Sequence, residues 1–344
     1  MLVKKIIGAT ASAKEQFIAV GHDTSPYITA YPWSASGFGT KFANPATLPT
    51  GMVWGASSSP SGNTIAVAHT STPSITAYPW SASGFGTKFA NPATLPTGTG
   101  RGLSFSPSGD AIAVAQEGGV YLSAYPWSAS GFGVKFSDPA VGVGGYIGTG
   151  ISFSPSGIEI VLSLFGSPYV AAYSWSGSGF GTKFSNPATA IPSFAYGVAF
   201  SPSGDAIAVA NGSGAYLAVY LWSASGFGTK FANPATLPTG SGNGVSFSPS
   251  GDAIALAHSN SPVVSAYPWS ASGFGTKFAN PATLPTGSGS GVAFSPSGDA
   301  IAVAHSSTPF VTAYPWSASG FGTKFANPAT LPTGQGRGVA FTEI

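Results

Sequence analysis

Side chains able to do acid–base or metal chemistry are few in this 344-residue chain, and most recur at equivalent positions. There is no cysteine, and all four histidines occupy one position of a repeating unit: His22, His69, His258 and His305. A zinc ion needs its nitrogen ligands about 2 Å away, whereas sheets packed face to face stand about 10 Å apart. Equivalent histidines of neighbouring units are therefore too far apart to share an ion. We expect no metal site, and in the absence of a nucleotide-binding motif we expect no cofactor.

The carboxylates also lack a catalytic pattern. Four of the ten follow the glycine of the same repeated turn, where an aspartate is expected to hydrogen-bond the turn backbone: Asp110, Asp205, Asp252 and Asp299. The other six are scattered, with no pair spaced for general acid–base work, and no Ser-His-Asp spacing occurs. The sequence therefore predicts a protein that is not an enzyme.

The low content of charged residues and the lack of a long apolar run argue against two classes of partner, nucleic acids and membranes. Only 6% of residues are charged and the net charge is +2, so no basic surface for nucleic acid is expected. No run of 18 apolar residues could span a bilayer, and residues 1–8 (MLVKKIIG) are too short in apolar residues for a signal peptide. We expect no nucleic-acid partner and no membrane insertion.

A repeat organises the whole chain. Its tryptophan recurs every 47 residues, with one step of 48: Trp33, Trp80, Trp127, Trp175, Trp222, Trp269 and Trp316. Each unit contains four β-like segments separated by turn signals. In one copy these segments, called A to D, are residues 291–295, 300–305, 310–316 and 323–330. We expect a single domain over residues 1–344, built from the seven repeats.

Segment B decides how the repeats pack. Ile301 and Val303 alternate with Ala300, Ala302 and Ala304, so both faces of this strand are apolar. A strand with two apolar faces needs a sheet that is covered on both sides. Sheets packed face to face around a ring meet this need. The sequence therefore predicts an all-β, seven-bladed β-propeller with four antiparallel strands per blade.

Part of the repeat resembles known propeller blades. The segment FSPSGDAIAVA, at 105–115, 200–210 and 294–304, resembles the FSPDGxxLAVA segment of WD-repeat and YVTN-type blades. The sequence VTAYPWS resembles the end of their third strand. The resemblance extends over all seven units and implies the same fold. The Trp-Asp dipeptide and the Gly-His pair of WD repeats are missing, so the hydrogen-bond network of that family is not implied.

The two chain ends compete for one position in the ring. Residues 4–11 read as a degenerate segment A, whereas residues 337–344 (RGVAFTEI) match the consensus at Val339 and Phe341. We expect the C-terminal copy to supply the innermost strand of the blade that contains residues 16–45, with residues 1–8 displaced or loosely held.

Differences between copies concentrate on one side of the predicted ring. Because strands alternate in direction, the A–B and C–D turns lie on one face, and the B–C and D–A connections on the other. The former hardly vary, whereas the position before segment A holds six residue types in seven copies: Trp54, Arg101, Thr149, Tyr196, Asn243, Ser290 and Arg337. The B–C loop varies too and carries four tyrosines: Tyr27, Tyr121, Tyr169 and Tyr216.

These eleven residues form the predicted ligand-binding rim. Exposed loops also tolerate neutral drift, but the equally exposed opposite turns have hardly drifted. The sequence therefore predicts a non-catalytic, lectin-like binding module that holds a glycan or a protein partner on this rim. The alternative is a structural virion component without a small-molecule ligand, because charge-poor repeats of this kind are similar to proteins encoded by tailed phages. In that case the chain would belong to a larger assembly.

Overall fold

Seven sheets of four antiparallel strands make up the protein. The computed structural model describes residues 14–143 and 146–344, which contain 28 strands, β1 to β28. From innermost to outermost strand, the first three sheets are β28 (Gly336–Glu343), β1 (Gln16–His22), β2 (Ile28–Ser34) and β3 (Gly37–Phe38); β4 (Val53–Ser58), β5 (Thr64–His69), β6 (Ile75–Ser81) and β7 (Gly84–Phe85); β8 (Gly100–Phe105), β9 (Ala111–Gln116), β10 (Leu122–Ser128) and β11 (Gly131–Phe132).

The other four sheets repeat this order. They are β12 (Gly148–Phe153), β13 (Glu159–Leu164), β14 (Val170–Ser176) and β15 (Gly179–Lys183); β16 (Ala195–Phe200), β17 (Ala206–Asn211), β18 (Leu217–Ser223) and β19 (Gly226–Lys230); β20 (Gly242–Phe247), β21 (Ala253–His258), β22 (Val264–Ser270) and β23 (Gly273–Phe274); β24 (Gly289–Phe294), β25 (Ala300–His305), β26 (Val311–Ser317) and β27 (Gly320–Phe321). Each innermost strand contacts the innermost strands of both neighbouring sheets, in a closed cycle. The protein is a seven-bladed β-propeller, as predicted.

The C-terminal strand closes the ring. Strand β28 pairs with β1 in an antiparallel register that sets Phe341 opposite Ile18 and Val339 opposite Val20. Blade 1 therefore takes its innermost strand from the end of the chain and its other three from the start, as predicted. The part of that prediction concerning residues 1–8 lies outside the described residues.

The core lies between the blades. The alanine face of one sheet packs against the isoleucine and valine face of the next, so that Ala66 and Ala68 of blade 2 share a cluster with Ile112 and Val114 of blade 3. The repeated tryptophan closes each cluster. Trp127 packs edge-to-face on three phenylalanine rings at centroid distances of 4.9–5.4 Å: Phe89, Phe105 and Phe132. Small residues on one face and branched residues on the other allow this close approach.

A buried tyrosine ties each blade to the preceding one. The Tyr78 hydroxyl of blade 2 donates a 2.8 Å hydrogen bond to the Thr47 carbonyl, and the Tyr125 hydroxyl of blade 3 donates one of 2.9 Å to the Thr94 carbonyl. Across the closure, the Tyr31 hydroxyl bonds the Thr330 carbonyl at 2.8 Å. This hydrogen bond gives the buried tyrosine hydroxyl an acceptor, and without one its burial would destabilise the fold.

The outermost strands are shorter than predicted. Segment D was expected over 323–330, but the outermost strand of that blade is Gly320–Phe321. In five blades a proline, such as Pro315, lies opposite the glycine that follows this strand, and it accepts one hydrogen bond from that glycine while offering no N–H in return. In blades 4 and 5 that position holds Ser174 and Leu221, and the outer strands extend to five residues.

Candidate functional site

A cavity of about 590 Å³ lies where the innermost strands begin, at the mouth of the central channel. We call it the mouth cavity. The seven residues predicted from the variable position before segment A all line it: Trp54, Arg101, Thr149, Tyr196, Asn243, Ser290 and Arg337. The ring thus brings together residues that are 47 or 48 positions apart in sequence. Because each copy contributes one side chain, seven equal strands form a cavity with unequal walls.

Two arginines pack on one tryptophan in the wall formed by blades 1 to 3. The guanidinium carbon of Arg101 lies 4.2 Å from the centroid of the Trp54 ring, and that of Arg337 lies 4.9 Å from it. Both arginine side chains are about three-quarters buried. Burial strengthens the attraction between a cation and an aromatic face. Trp54 therefore holds two positive charges at one wall of the cavity.

Each of these arginines also pairs with a carboxylate. Arg101 Nε donates to Glu117 Oε1 at 2.6 Å, and a second nitrogen of the same guanidinium bonds the same oxygen. An Arg337 terminal nitrogen lies 3.2 Å from Asp23 Oδ2. Asp23 Oδ1 accepts a 2.9 Å bond from the Gln335 backbone N–H. The carboxylates fix the arginines and balance their charge.

The acidic position was missed by sequence reasoning, although the same comparison of copies identifies it. Asp23 and Glu117 both come directly after strand B. The residues at this position are of six types in seven copies: Asp23, Thr70, Glu117, Phe165, Gly212, Ser259 and Ser306. In six blades the backbone N–H here bonds a carbonyl two residues before the variable position of segment A. The bond holds the two variable positions side by side on the rim.

Two buried donors in this wall lack a hydrogen-bond partner among the described residues. They are the Trp54 indole Nε1 and Arg337 Nε. Native proteins pair nearly all buried N–H groups, so an unpaired donor in a cavity wall calls for an explanation. Both atoms are covered by protein atoms, as are the unpaired indole nitrogens of Trp80 and Trp222, so they belong to the packing of this wall and not to its ligand-facing surface.

Blades 4 and 5 form an aromatic wall. Phe165 stacks on Phe194 at a centroid distance of 4.7 Å and an interplanar angle of 12°, and both rings meet Tyr196 edge-on. Burial raises the pKa of the Tyr196 hydroxyl, and the charge of Arg101 opposes this shift. The Tyr196 hydroxyl is therefore a neutral donor at physiological pH.

The remaining wall is polar and uncharged. The Asn243 amide nitrogen donates to the Gly289 carbonyl of the next blade at 2.6 Å, and the Thr149 hydroxyl donates to the Ala195 carbonyl at 2.6 Å. These two side chains link neighbouring blades as well as lining the cavity. Ser290 and Ser306 complete this side.

The four tyrosines predicted from the B–C loop do not line the mouth cavity. Tyr27, Tyr121, Tyr169 and Tyr216 are half-buried and pack on the hydrophobic clusters between blades. All four have a positive φ of 62–68° and precede the third strand. Their carbonyls accept the last N–H of strand B, as from His22 to Tyr27 at 2.8 Å. This turn directs their side chains onto the blades instead of the channel.

The repeated histidines and aspartates have structural contacts. Each imidazole is fully buried and bonds a hydroxyl of its own blade, as His305 Nε2 does with Thr312 Oγ1 at 2.9 Å. Burial lowers the pKa of all four histidines to about 4. In the A–B turns the aspartates accept from serine side chains; hydroxyls of Ser108 and Ser106 lower the pKa of Asp110.

Comparison with known proteins identifies the fold but no family. No family model matches the sequence, and no curated protein is significantly similar to it. A protein from Lactobacillus plantarum is 14% identical over 96% of this chain and 100% of its own, with a TM-score of 0.73. A putative 6-phosphogluconolactonase from Bacteroides uniformis is 14% identical over 96% and 100%, with a TM-score of 0.70. The periplasmic gluconolactonase PpgL of Pseudomonas aeruginosa is 15% identical over 95% and 99%, with a TM-score of 0.68.

These neighbours correct two predictions. The chain was expected to be a non-catalytic binding module, or else a virion component, and not an enzyme. Those expectations are wrong in light of solved structures that share the fold over nearly their whole length and bear the names of lactone hydrolases. The prediction rested on the lack of a nucleophile triad and of a carboxylate pair, and lactone hydrolysis in general needs only a polarised carbonyl and an activated water. At identities of 14–15% the likeness itself establishes the fold alone.

No finding supports the lectin-like or virion assignment. Among the described residues, no helix has the length and apolar character needed to cross a membrane.

Proposed function

We propose that the protein is a hydrolase of small lactones with the mouth cavity as its active site. The observation that carries the proposal is the pair of arginines on Trp54, which gives one wall of a ligand-sized cavity several N–H donors. The names of the structural neighbours support the reaction class.

The donor wall suits the carbonyl oxygen of a lactone. As water attacks the carbonyl carbon, negative charge grows on that oxygen. Guanidinium groups held by Trp54 and by their carboxylate partners stabilise this charge without having to reorganise. Partial burial strengthens the effect, because the charges interact through a medium less polar than water. Arg101 and Arg337 are therefore assigned the role of oxyanion donors.

Glu117 does not line the mouth cavity itself but is hydrogen-bonded to Arg101, which does, and it is assigned the role of general base from behind that arginine. Both of its hydrogen bonds from Arg101 go to Oε1, which leaves Oε2 to accept a proton from water. Both oxygens of Asp23, by contrast, accept hydrogen bonds. The oxygen of water bonds to the carbonyl carbon, and the ring C–O bond breaks. The proton taken by Glu117 passes to the leaving alkoxide, so the product is a hydroxy acid.

Hydrolysis of glucono-1,5-lactone and of its 6-phospho derivative tests the proposal. Acid release is followed by pH-stat titration and corrected for spontaneous hydrolysis. Replacing one oxyanion donor in Arg337→Gln is expected to lower kcat about 100-fold, and Glu117→Gln should lower it similarly. Lys277→Gln, on the outer edge of blade 6, is the matched control and should keep the parent rate. A parent rate equal to that of buffer, or equal rates in all four proteins, would overturn the proposal.

A further inference from the structure

One wall of the mouth cavity is aromatic and apolar. Phe165 is 44% exposed, although most large apolar side chains of the blades are buried. It lines the cavity and lies flat against Phe194, with Tyr196 edge-on to both rings. An exposed, ordered aromatic face in a cavity is a stacking surface for a flat apolar ligand.

The backbone of blade 5 makes room for this stack. Gly212 occupies the position that holds Glu117 in blade 3 and Phe165 in blade 4. A Cβ atom at Gly212 would lie 2.1 Å from the ring of Phe194. The ring therefore rests on the glycine backbone, and any larger residue would displace it. Gly212 leaves the space in which Phe194 can lie, and Phe194 supports the ring of Phe165.

The cavity thus has two walls of different chemistry. Blades 1 to 3 present guanidinium N–H donors, whereas blades 4 and 5 present apolar ring faces. A sugar lactone would cover the second wall only with the C–H groups of one ring face, and the hydroxyl groups around its edge would find no partner there. A molecule with a carbonyl at one end and a flat apolar ring at the other matches both walls.

We infer that the substrates are lactones that carry an aromatic ring, with the carbonyl at the arginines on Trp54 and the ring on Phe165. The inference rests on the proposed function and narrows its substrate class. It makes Phe165 a specificity-determining residue. Its equivalents in blades 6 and 7 are serines, so Phe165→Ser is a replacement that this position of the fold already accepts.

The experiment compares dihydrocoumarin, an aromatic lactone, with glucono-1,5-lactone. The parent protein is expected to show the higher kcat/KM for dihydrocoumarin. Phe165→Ser should lower the ratio of the two kcat/KM values about tenfold, the effect expected when one aromatic contact is lost. Val134→Ser is the matched control, because it removes an 82% exposed apolar side chain that does not line the cavity. It should leave the ratio unchanged. Should Phe165→Ser fail to fold, Phe165→Leu keeps the apolar volume and removes the planar face.

The outcomes separate this inference from the proposed function. If glucono-1,5-lactone is hydrolysed at least as efficiently as dihydrocoumarin, or the ratio does not respond to the Phe165 variants, the aromatic class is wrong while lactone hydrolysis stands. If neither lactone is hydrolysed, the proposed function fails. Titration calorimetry with 3-(2-hydroxyphenyl)propanoate, the product of dihydrocoumarin, then decides the ligand class. Binding that Phe165→Ser weakens about tenfold supports the aromatic class, and no binding overturns it.

Discussion

The four buried histidines predict a steep loss of stability in mild acid. Each is neutral in the folded protein because burial lowers its pKa from 6.5 to about 4. For His305, hydrogen bonding with the backbone of Ser307 and Thr286 opposes that shift, and the charge of Lys324 adds to it. The unfolded chain therefore binds protons that the folded chain does not, between pH 6.5 and about 4. Stability is complete above this window, falls through it as the pH falls, and levels off below it.

The size of the effect follows from the shift. A shift from 6.5 to about 4 corresponds to a loss of about 3 kcal/mol per histidine, most of which is reached at pH 4.5. The histidines lie in separate blades, so their contributions should add. Four such losses approach the whole stability of a typical domain, and the protein should unfold in this window.

The assay is urea unfolding of the parent and of His305→Gln at pH 7.5 and pH 4.5. Glutamine is the matched replacement because Gln116 already fills the equivalent site and donates to Thr97 Oγ1 at 2.7 Å. At pH 7.5 the variant should lose on the order of 1 kcal/mol with its hydrogen bond to Thr312. Between the two pH values it should lose roughly 2 to 3 kcal/mol less than the parent. An identical pH dependence in the two proteins would refute the assignment of the loss to buried imidazole.

Three further predictions concern closure, blade contacts and the site. Removing residues 337–344 leaves the inner edge of β1 unpaired, so the melting temperature should fall sharply or cooperative unfolding should be lost in calorimetry; a melting curve like that of the parent would contradict the closure. Tyr78→Phe removes the hydrogen bond to Thr47 and should lower the free energy of unfolding in urea by about 1 kcal/mol. Phe85→Ala removes edge-to-face contacts with Trp80 and Tyr78 and should lower it by more, about 2 kcal/mol. A larger loss for Tyr78→Phe than for Phe85→Ala would contradict this ranking. Trp54→Ala should lower the rate of lactone hydrolysis at least tenfold, because both arginines lose the ring on which they pack. Its melting temperature should stay near that of the parent, because the equivalent position of another blade holds a serine, Ser290. A parent-like rate would show that the arginines do not need the ring.

The 47-residue repeat and the two apolar faces of strand B were enough to predict the ring. A sheet that must be covered on both faces, repeated seven times, fits few architectures. The closing strand followed from Val339 and Phe341, whose apolar types fit the inward positions. The outer strands could not be placed so well, since their length depends on whether a proline or a residue such as Leu221 lies opposite. The length of the outer strand is therefore limited by whether the residue opposite has a backbone N–H to donate, and not by the hydrophobic pattern.

The residues that line the mouth cavity were predicted in part for a similar reason, and their role in binding stays a prediction. Comparing copies found the seven residues before segment A, whose neighbourhood follows from the ring alone. The ion pairs were missed because they join different segments: Arg101 and Glu117 are 16 residues apart, and Arg337 and Asp23 are 314 apart. The B–C tyrosines were assigned to the rim because their variability was visible, whereas the positive φ that turns them onto the blades was not.

Closure by β28 also sets when the protein can finish folding. Blades 2 to 7 each consist of consecutive strands, but β1 waits for β28, which is synthesised after all the other strands. Until then it offers an unpaired edge to any strand of matching pattern, and every innermost strand of this chain has a similar pattern. A second nascent chain on the same message carries the same strands. At high concentrations of nascent chain, β28 of one copy therefore competes with β28 of another for the same edge of β1.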